Sequence, residues 1–126
     1  MAPYDILGNV AIVKFARGTT QREKRIYANK LLKTHMNVRT VLEKSGKISG
    51  RLRTPDTRWV AGDKTKEALY KENSCSFLLN VDTCYFSPRL SSERKEIAEM
   101  VRKGERVLVM FGGVGPFAIV IAKIAK

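Results

Sequence analysis

The stretch RVLVMFGGVGPFAIVI (residues 106–121) carries the strongest fold signal in the chain. Its residues 107–111 form an unbroken apolar run, which is typical of a buried parallel strand. The glycines of residues 112–115 make a turn after that run, and Pro116 is favoured in the first turn of the helix that follows. A strand, a glycine-rich turn and a helix open a Rossmann-like sheet, where backbone N–H groups can hold a nucleotide. The stretch is not the G-x-G-x-x-G fingerprint, so a structural strand-to-helix turn is the favoured interpretation of these residues alone.

Two further helices are predicted upstream of this stretch. Ser91 and Ser92 can cap one of them, which ends near Gly104. Its inward-facing residues are expected to be Leu90, Ile97, Met100 and Val101. The other helix begins with the capping-box pattern Thr20-Gln-Arg-Glu23. Its apolar stripe is predicted to contain Ile26, Tyr27, Leu31 and Leu32.

The remaining sequence predicts β structure. Residues 4–15 indicate a short hairpin or one bent strand around a Gly8-Asn9 turn. Residues 38–82 predict a series of short antiparallel strands, with turns at Ser45-Gly46-Lys47 and Asn73-Ser74. The predicted fold class is therefore α+β: an antiparallel β domain with a helix, followed by the opening strand, glycine turn and helix of a Rossmann-like fold.

Length and charge narrow the function classes. A chain of 126 residues has room for one compact domain and not for a large enzyme. Twenty-four Lys and Arg against twelve Asp and Glu give a net charge of +12, while 44% hydrophobic content is too high for a disordered basic tail. The positive electrostatic field of this net charge favours nucleic acid as the partner, ahead of an anionic membrane surface. The sequence shows no membrane-spanning apolar run and no signal-peptide pattern, so we expect a cytoplasmic protein.

The cysteine and histidine residues of the sequence do not predict a metal site. Cys75 and Cys84 lack the close paired spacing of a zinc site, and the single histidine, His35, is distant in sequence. The two cysteines are expected to be reduced, partly buried thiols.

Basic residues in the β region are interleaved with two aromatic residues, Trp59 and Tyr70. This pattern is one that looped or single-stranded RNA exploits through stacking and phosphate contacts, although a lone tryptophan in a strand is more often a core residue. The cations are Arg39, Lys44, Lys47, Arg51, Arg53, Arg58, Lys64, Lys66 and Lys71. The first helix also has a basic face, for which simple solvation is the favoured interpretation. That face contains Arg22, Lys24, Arg25 and Lys33.

Two motifs together resemble a known family. YFSPRLSSER (residues 85–94), followed by VLVMFGGVGPF (residues 107–117), closely resembles the archaeal and eukaryotic tRNA (guanine-N1)-methyltransferases, which modify position 37, just 3′ of the anticodon. The resemblance extends through residues 7–13, residues 37–62 and the Lys-Glu-Asn segment at residues 71–73. It implies a middle, tRNA-recognising domain over residues 4–84. Residues 85–126 would then be the incomplete start of an S-adenosylmethionine-dependent methyltransferase domain.

The resemblance also assigns expected roles to single residues. Glu93 matches the general base that removes the N1 proton of guanine, and Arg53 matches the arginine that stabilises negative charge on O6. Residues expected to bind substrate are Tyr85, Arg89, Arg94 and Asn73, with Arg94 supporting the others as an ion-pair partner. Residues expected to bind the cofactor are Phe111, Gly113, Gly115 and Phe117. The implied partner is tRNA.

Two positions depart from the family pattern. Val109 stands where an acidic residue closes the first Rossmann strand, and Asn80 replaces an acidic residue further upstream. We therefore expect this chain alone to be inactive and to bind the cofactor weakly. The exposed strand at residues 107–111 is expected to pair with the β domain, with a second copy of the chain in a homodimer, or with another chain that completes the sheet.

Three alternative functions remain open. One is a non-catalytic RNA-binding paralogue. Another is a relative of the wybutosine-synthesis aminocarboxypropyl transferases, which share the layout and the cofactor, although Arg89 and the Gly-Pro-Phe of residues 115–117 favour the methyltransferases. The third is a protein with a non-RNA partner, in which the basic surface serves only solubility.

Overall fold

The computed structural model describes residues 1–49 and 54–125. In chain order the elements are β1 (Tyr4–Leu7), β2 (Val10–Val13), α1 (Gln21–Thr34), β3 (Thr40–Ser49), β4 (Thr54–Gly62), β5 (Glu67–Glu72), β6 (Cys75–Asn80), a 3-10 turn (Pro88–Leu90), α2 (Ser91–Met100) and α3 (Pro116–Ile124). This order confirms the α+β class. No helix within the described ranges is long and apolar enough to cross a membrane.

Helix α1 starts where its sequence predicts. The Thr20 hydroxyl accepts a hydrogen bond from the Glu23 amide at 3.3 Å, and the Glu23 carboxylate accepts one from the Thr20 amide at 2.8 Å. This reciprocal pair satisfies amide groups that the first helical turn leaves without partners. The predicted capping box is confirmed.

Strands β1 to β4 form one sheet in sequence order, but the sheet is mixed rather than antiparallel. β1–β2 and β3–β4 are antiparallel, whereas β2 and β3 run parallel, with Val10 opposite Thr40. The reason is α1, which carries the chain from the end of β2 back to the end of the sheet where β2 began. A helical crossover of this kind produces a parallel pair. β5 and β6 form a separate antiparallel hairpin.

The predicted turn at Ser45-Gly46-Lys47 is wrong. β3 continues through these residues to Ser49, and its pairing with β4 shifts register between Lys44 and Ile48. Gly46 has φ +63°, a conformation that glycine adopts without steric cost. A glycine in the left-handed region lets a strand bulge and continue, so this one marks an irregularity rather than a chain reversal.

The four-stranded sheet is covered on both faces. Ala11, Val13 and Val41 point to one face and join a core cluster with Ala28 and Leu31 of α1. The alternate positions, among them Val10 and Leu42, point to the other face. The cluster on that face includes Ala68, Phe77, Leu79, Ala98, Val120 and Ile121. The protein therefore has three layers: α1, the sheet, and a layer made of β5, β6, α2 and α3.

Two polar links join the layers. The Asn9 side chain, in the predicted β1–β2 turn, accepts a hydrogen bond from the Leu69 amide of β5 at 2.7 Å. The Asp82 carboxylate accepts hydrogen bonds from the Thr57 amide at 3.1 Å and from its hydroxyl at 2.5 Å, and pairs with Lys66. These contacts satisfy backbone groups at strand edges. They therefore fix the position of the β5–β6 hairpin relative to the four-stranded sheet.

Several predicted core residues lie at the surface. Ile26 of α1 is 62% exposed, and on α2 Met100 is 74% exposed, while Leu90 and Ile97 are also exposed. α2 instead buries Arg94 and Ala98. The apolar periodicity failed on α2 because a buried, charge-paired arginine occupies the position that faces the core. Val101 packs against the core as predicted.

The apolar run at residues 107–111 does not form a strand. Its backbone is irregular, and Leu108 is 84% and Phe111 is 101% exposed. A strand needs a neighbour for its hydrogen-bond ladder, and none of the described strands lies beside this run. The expected pairing with the β domain is therefore wrong, whereas pairing with a second copy stays a prediction. The glycine turn and α3 follow as predicted.

Candidate functional site

A buried ion pair organises the region that carries the predicted site. The Arg94 guanidinium donates hydrogen bonds to both carboxylate oxygens of Glu72, at 2.5 and 2.7 Å. Its side chain is 1% exposed and that of Glu72 is 2% exposed. Arg94 also donates to the Ser87 carbonyl oxygen at 2.9 Å, and lies 5.0 Å from the Phe86 ring centre and 5.9 Å from that of Phe117.

These contacts join three segments that are distant in sequence. Glu72 ends β5, Ser87 precedes the 3-10 turn, and Phe117 lies in the first turn of α3. Arg94 was predicted to bind substrate with a supporting ion pair. Its burial and satisfied hydrogen bonds place it beneath the surface, as a residue that positions other groups.

The Tyr70 hydroxyl belongs to the same network. Burial raises its pKa, and the neighbouring Glu72 carboxylate raises it further. The Tyr70 ring meets the Phe86 ring edge-on at 5.1 Å between centres. Sequence reasoning did not select Glu72, although it lies in the Lys-Glu-Asn segment that contributed to the resemblance, and it considered Tyr70 only as one of the aromatic residues in the basic β region.

Asn73 ties the β5–β6 turn to α2. Asn73 and Ser74 both have positive φ, which matches the predicted two-residue turn. The Asn73 side-chain amide donates a hydrogen bond to the Ser91 carbonyl oxygen at 3.1 Å. It therefore holds the first turn of α2, where Glu93 lies.

The other residues expected to contact substrate are at the surface. Glu93 lies exposed in the first turn of α2. Tyr85 is 65% exposed. Arg89 is exposed as well, and its guanidinium pairs with the Asp5 carboxylate of β1 at 2.8 Å. Arg53, the predicted partner of O6, lies outside the described residues.

The glycine turn has an open backbone. Gly113 has φ +58°, and a Cβ added there would meet no atom within 4 Å. Gly115 has φ +77° and precedes α3, whose Ile119 amide donates to the Gly115 carbonyl oxygen at 2.9 Å. Phe111, at φ +54°, projects into solvent. The turn can thus receive a ligand group close to its main chain.

The two departures from the family pattern have different surroundings. Val109 is half-buried and offers no polar atom at the turn. The Asn80 side chain accepts a hydrogen bond from the Asp82 amide at 2.9 Å. Asn80 therefore shapes the bend after β6 that presents Asp82 to Thr57.

Trp59 and the cavities lie away from these residues. Trp59 is 40% exposed, and its indole N–H donates to the Gly62 and Asp63 carbonyl oxygens. A groove of about 690 Å³ lies at the N-terminal end of α1. A second groove of about 420 Å³ lies between the start of β6 and α3, beside the free thiol of Cys75. Neither groove is lined by a predicted site residue.

Family models divide the chain into two matched regions. Residues 2–65 match the TYW2 N-terminal domain, and residues 68–126 match the TRM5/TYW2 methyltransferase domain. The chain belongs to the TRM5/TYW2 family. The resemblance drawn from YFSPRLSSER and VLVMFGGVGPF is therefore confirmed. The proposed domain boundary after residue 84 stays a prediction.

Members of the TRM5/TYW2 family resemble the chain over almost its whole length. A relative from Nanoarchaeum equitans, named tRNA (guanine(37)-N(1))/4-demethylwyosine(37)-methyltransferase Taw22, is 42% identical over 98% of this chain, and the chain spans 40% of that relative. The aTrm5 chain in a complex with tRNALeu matches 98% of this chain with a TM-score of 0.83 and 28% identity, over 37% of its own length. Trm5 of Methanocaldococcus jannaschii in complex with adenosine matches 98%, with a TM-score of 0.79 and 27% identity, over 35% of its length.

Proposed function

We propose that this chain supplies the tRNA-contacting domain and the first part of the donor-binding domain of a tRNA (guanine(37)-N1)-methyltransferase that uses S-adenosylmethionine. One observation carries the proposal: the Arg94–Glu72 pair holds the Lys-Glu-Asn turn, the Ser-Pro-Arg loop and the start of α3 together. These are the motifs on which the family resemblance rests. We place this tRNA-modifying protein in the cytoplasm as part of the proposal.

The exposed residues of this region have roles that fit guanine chemistry. N1 of guanine carries a weakly acidic proton, and it becomes a good nucleophile only after a base removes that proton. Glu93 is an exposed carboxylate on a helix whose first turn is held by Asn73, so it can accept the proton. Tyr85 and Arg89, which are exposed, contact the flanking RNA. The family resemblance alone assigns to Arg53, which lies outside the described residues, the stabilisation of the charge that develops on O6.

The glycine turn fits one part of the donor. Backbone atoms at Gly113 are open to a ligand, and Phe111 and Phe117 flank the turn on its two sides in sequence. S-adenosylmethionine supplies an electrophilic methyl group on sulfur. A nucleoside ligand on an α/β sheet takes contacts from several strand ends, and Val109 adds no polar contact here. We therefore expect weak donor binding by this chain alone.

The overall charge supports an RNA partner. The net charge of +12 gives the chain a field that attracts phosphates, and aTrm5, which the chain resembles, has been solved with tRNALeu. Because phosphate contacts release condensed counterions, RNA affinity should fall steeply with salt. A second copy of the chain, or another chain, would cover the exposed residues 107–111.

A second candidate function is supported by the N-terminal match. This second function is the aminocarboxypropyl transfer of the wybutosine-synthesis relatives, because residues 2–65 match the TYW2 N-terminal domain. Arg89 and the Gly-Pro-Phe of residues 115–117 favour methyl transfer, but they lie only in the second matched region, residues 68–126.

Calorimetric titrations test the proposal. An anticodon stem-loop with guanine at position 37 should bind the chain, with an affinity that falls as salt rises, and S-adenosylmethionine should bind weakly, with or without RNA. Radiolabelled methyl transfer to tRNA by the chain should not exceed that of a Glu93→Gln control. Light scattering in the same buffer tests for a second copy. Absence of RNA binding at low salt would contradict the proposal.

Catalytic roles need a polypeptide with a complete methyltransferase domain that carries these motifs. There, Glu93→Gln should lower the methyl-transfer rate by roughly a hundredfold while leaving tRNA affinity nearly unchanged. A matched change at the neighbouring exposed carboxylate, Glu96→Gln, should leave both unchanged. Equal losses of binding and rate for Glu93→Gln would reduce it to an ordinary RNA contact.

A further inference from the structure

The outer face of α1 presents a row of cations to solvent. Arg22, Arg25, Lys30 and Lys33 are all exposed, and we call them the α1 stripe. At 3.6 residues per turn they fall within an arc of roughly 140°. Ile26 lies within the same arc and is 62% exposed.

The α1 stripe has no acidic partners among the described residues. The helix contains one acid, Glu23, and its carboxylate is engaged in the capping box with Thr20. Lys24, which lies outside the stripe, takes the ion pair with Glu43 at 2.6 Å. Solvated helices normally alternate charges so that pairs three or four residues apart attract, whereas like charges at that spacing destabilise the helix. The pairs Arg22–Arg25 and Lys30–Lys33 are like charges three residues apart, so each of them destabilises α1.

The stripe lies on the far side of the protein from the candidate methyl-transfer region. α1 packs on the sheet face formed by Ala11, Val13 and Val41. The layer with β5, α2 and α3 packs on the opposite face, through Val10 and Leu42. A guanine base held at Glu93 therefore does not lie against the stripe, so the stripe faces either another part of the RNA or a second RNA.

A groove of about 690 Å³ adjoins the N-terminal end of the stripe, and we call it the α1 groove. Phe15 and Tyr27 line it, with their rings edge-on at 5.7 Å between centres, and Lys14 lies at its wall. The Tyr27 hydroxyl donates to the Ala2 carbonyl oxygen at 2.7 Å, which fixes the ring. Aromatic rings beside cations suit a nucleobase and its phosphate.

We infer that the α1 stripe and the α1 groove form a second RNA-binding surface, in which the stripe contacts phosphates and the groove receives one unstacked base. The inference rests on the proposed function only in taking RNA as the ligand. An anionic membrane is less suited to this face, because Ile26 is the one large apolar side chain that the stripe exposes, whereas membrane-surface helices present a broad apolar face.

Titration with a short RNA stem-loop at low salt tests the stripe. The wild-type chain should bind two stem-loops, and an Arg22→Gln/Arg25→Gln/Lys33→Gln variant should bind one. Loss of three phosphate contacts should lower the slope of log affinity against log salt at the stripe site alone by about 2–3, since each neutralised phosphate contributes about 0.7–0.9, and this site should then be empty at a salt concentration where the other site still binds. A matched variant, Arg102→Gln/Lys103→Gln/Arg106→Gln, removes the same charge from exposed positions after α2 and should keep both stem-loops.

The outcomes separate this inference from the proposed function. If the wild-type chain binds one stem-loop and the stripe variant binds it equally well, the inference is overturned and the proposed function stands. If the wild-type chain binds no RNA, both fail. If the stripe variant loses binding to phosphatidylserine vesicles but not to RNA, the stripe is a membrane surface and the inference is again overturned.

A separate measurement tests the groove. RNA carrying 5-iodouridine should crosslink to the peptide that contains Phe15 or Tyr27. Phe15→Leu should weaken binding of a single-stranded oligonucleotide by roughly fivefold or more, because it removes a stacking ring. Tyr4→Leu removes an exposed aromatic ring that does not line the groove and should bind normally. Crosslinks confined to residues 85–94 would show that the groove takes no base.

Discussion

Replacing Glu72 by leucine removes the carboxylate that pairs with the buried guanidinium of Arg94. In the native protein two hydrogen bonds of 2.5 and 2.7 Å join these groups, and both side chains are at most 2% exposed. The variant leaves a positive charge without its partner in a site that water does not reach. The Ser87 carbonyl oxygen, the Phe86 and Phe117 rings and the nearby Tyr70 hydroxyl would remain around it, but none of them carries a compensating negative charge.

The expected cost of this change is large. Removing one partner of a buried ion pair typically destabilises a protein by about 3–5 kcal/mol. For a chain of this length, that loss lowers the melting temperature by roughly 10–20 °C. Replacing both partners, as in Glu72→Leu/Arg94→Met, leaves no uncompensated charge and should recover at least half of the loss. The Ser87 carbonyl oxygen would still lose its donor, which costs about 1–3 kcal/mol.

Urea denaturation of the wild type, both single variants and the double variant measures these terms as a double-mutant cycle. Glu99→Gln is the matched control, because the Glu99 carboxylate pairs with Lys95 at 3.8 Å while both side chains are more than half exposed. Exposed helical pairs contribute about 0.3–0.5 kcal/mol, so this variant should melt almost like the wild type. A Glu72→Leu cost below about 1 kcal/mol, or a double variant no more stable than the sum of the singles, would refute the reasoning.

Two further predictions concern α1 and the β1–β2 turn. Gly8→Ala places a Cβ 1.9 Å from the Leu69 carbonyl oxygen, so it should destabilise the chain far more than Gly18→Ala, which has a similar positive φ but open space around it; urea midpoints compare the two. Side-chain and backbone hydrogen bonds from Thr20 hold the pKa of Glu23 below its ordinary value of 4.5. A lowered pKa stabilises the fold at pH values above the unfolded-state pKa, and that stabilisation is lost as pH falls through the folded-state pKa. Melting temperatures from about pH 6 to about pH 3 should therefore fall less for Glu23→Gln than for the wild type, and parallel curves would contradict this.

Most local signals in the sequence predicted local structure, although the turn at residues 45–47 and the serine cap of α2 were wrong. The Thr20–Glu23 capping box, the Gly8-Asn9 turn and Pro116 at the start of α3 each depend on a few neighbouring residues, and each was found as predicted. Relations between distant strands were not predicted. The parallel pairing of β2 with β3 depends on how α1 crosses the sheet, and the spacing of apolar residues within a strand contains no information on its neighbours.

The candidate site shows the same difference between features that the sequence predicts and features that depend on distant contacts. Residues that resemble family positions could be named from the motifs, but their burial could not. Arg94 follows the exposed Glu93 by one residue, and a helix rotates by about 100° per residue, so one side chain faces solvent while the other faces the core. Glu72 could have been found only by asking which acid would pair with a buried arginine, and the sequence offers no sign of that burial.

The way α3 is held connects the ion pair with the proposed function. The segment between α2 and α3 forms no strand, so its backbone does not fix the glycine turn relative to Glu93. Burial of Ala98, Val120 and Ile121 brings the two helices together, but apolar packing alone is weakly directional. Arg94 makes this packing directional, because its planar guanidinium hydrogen-bonds to Glu72 on β5. The central carbon of the same guanidinium lies 5.9 Å from the centre of the Phe117 ring on α3. The proposed general base on α2 and the proposed donor turn before α3 are therefore positioned by the same buried side chain, so the stability of this layer is coupled to the geometry of the proposed reaction.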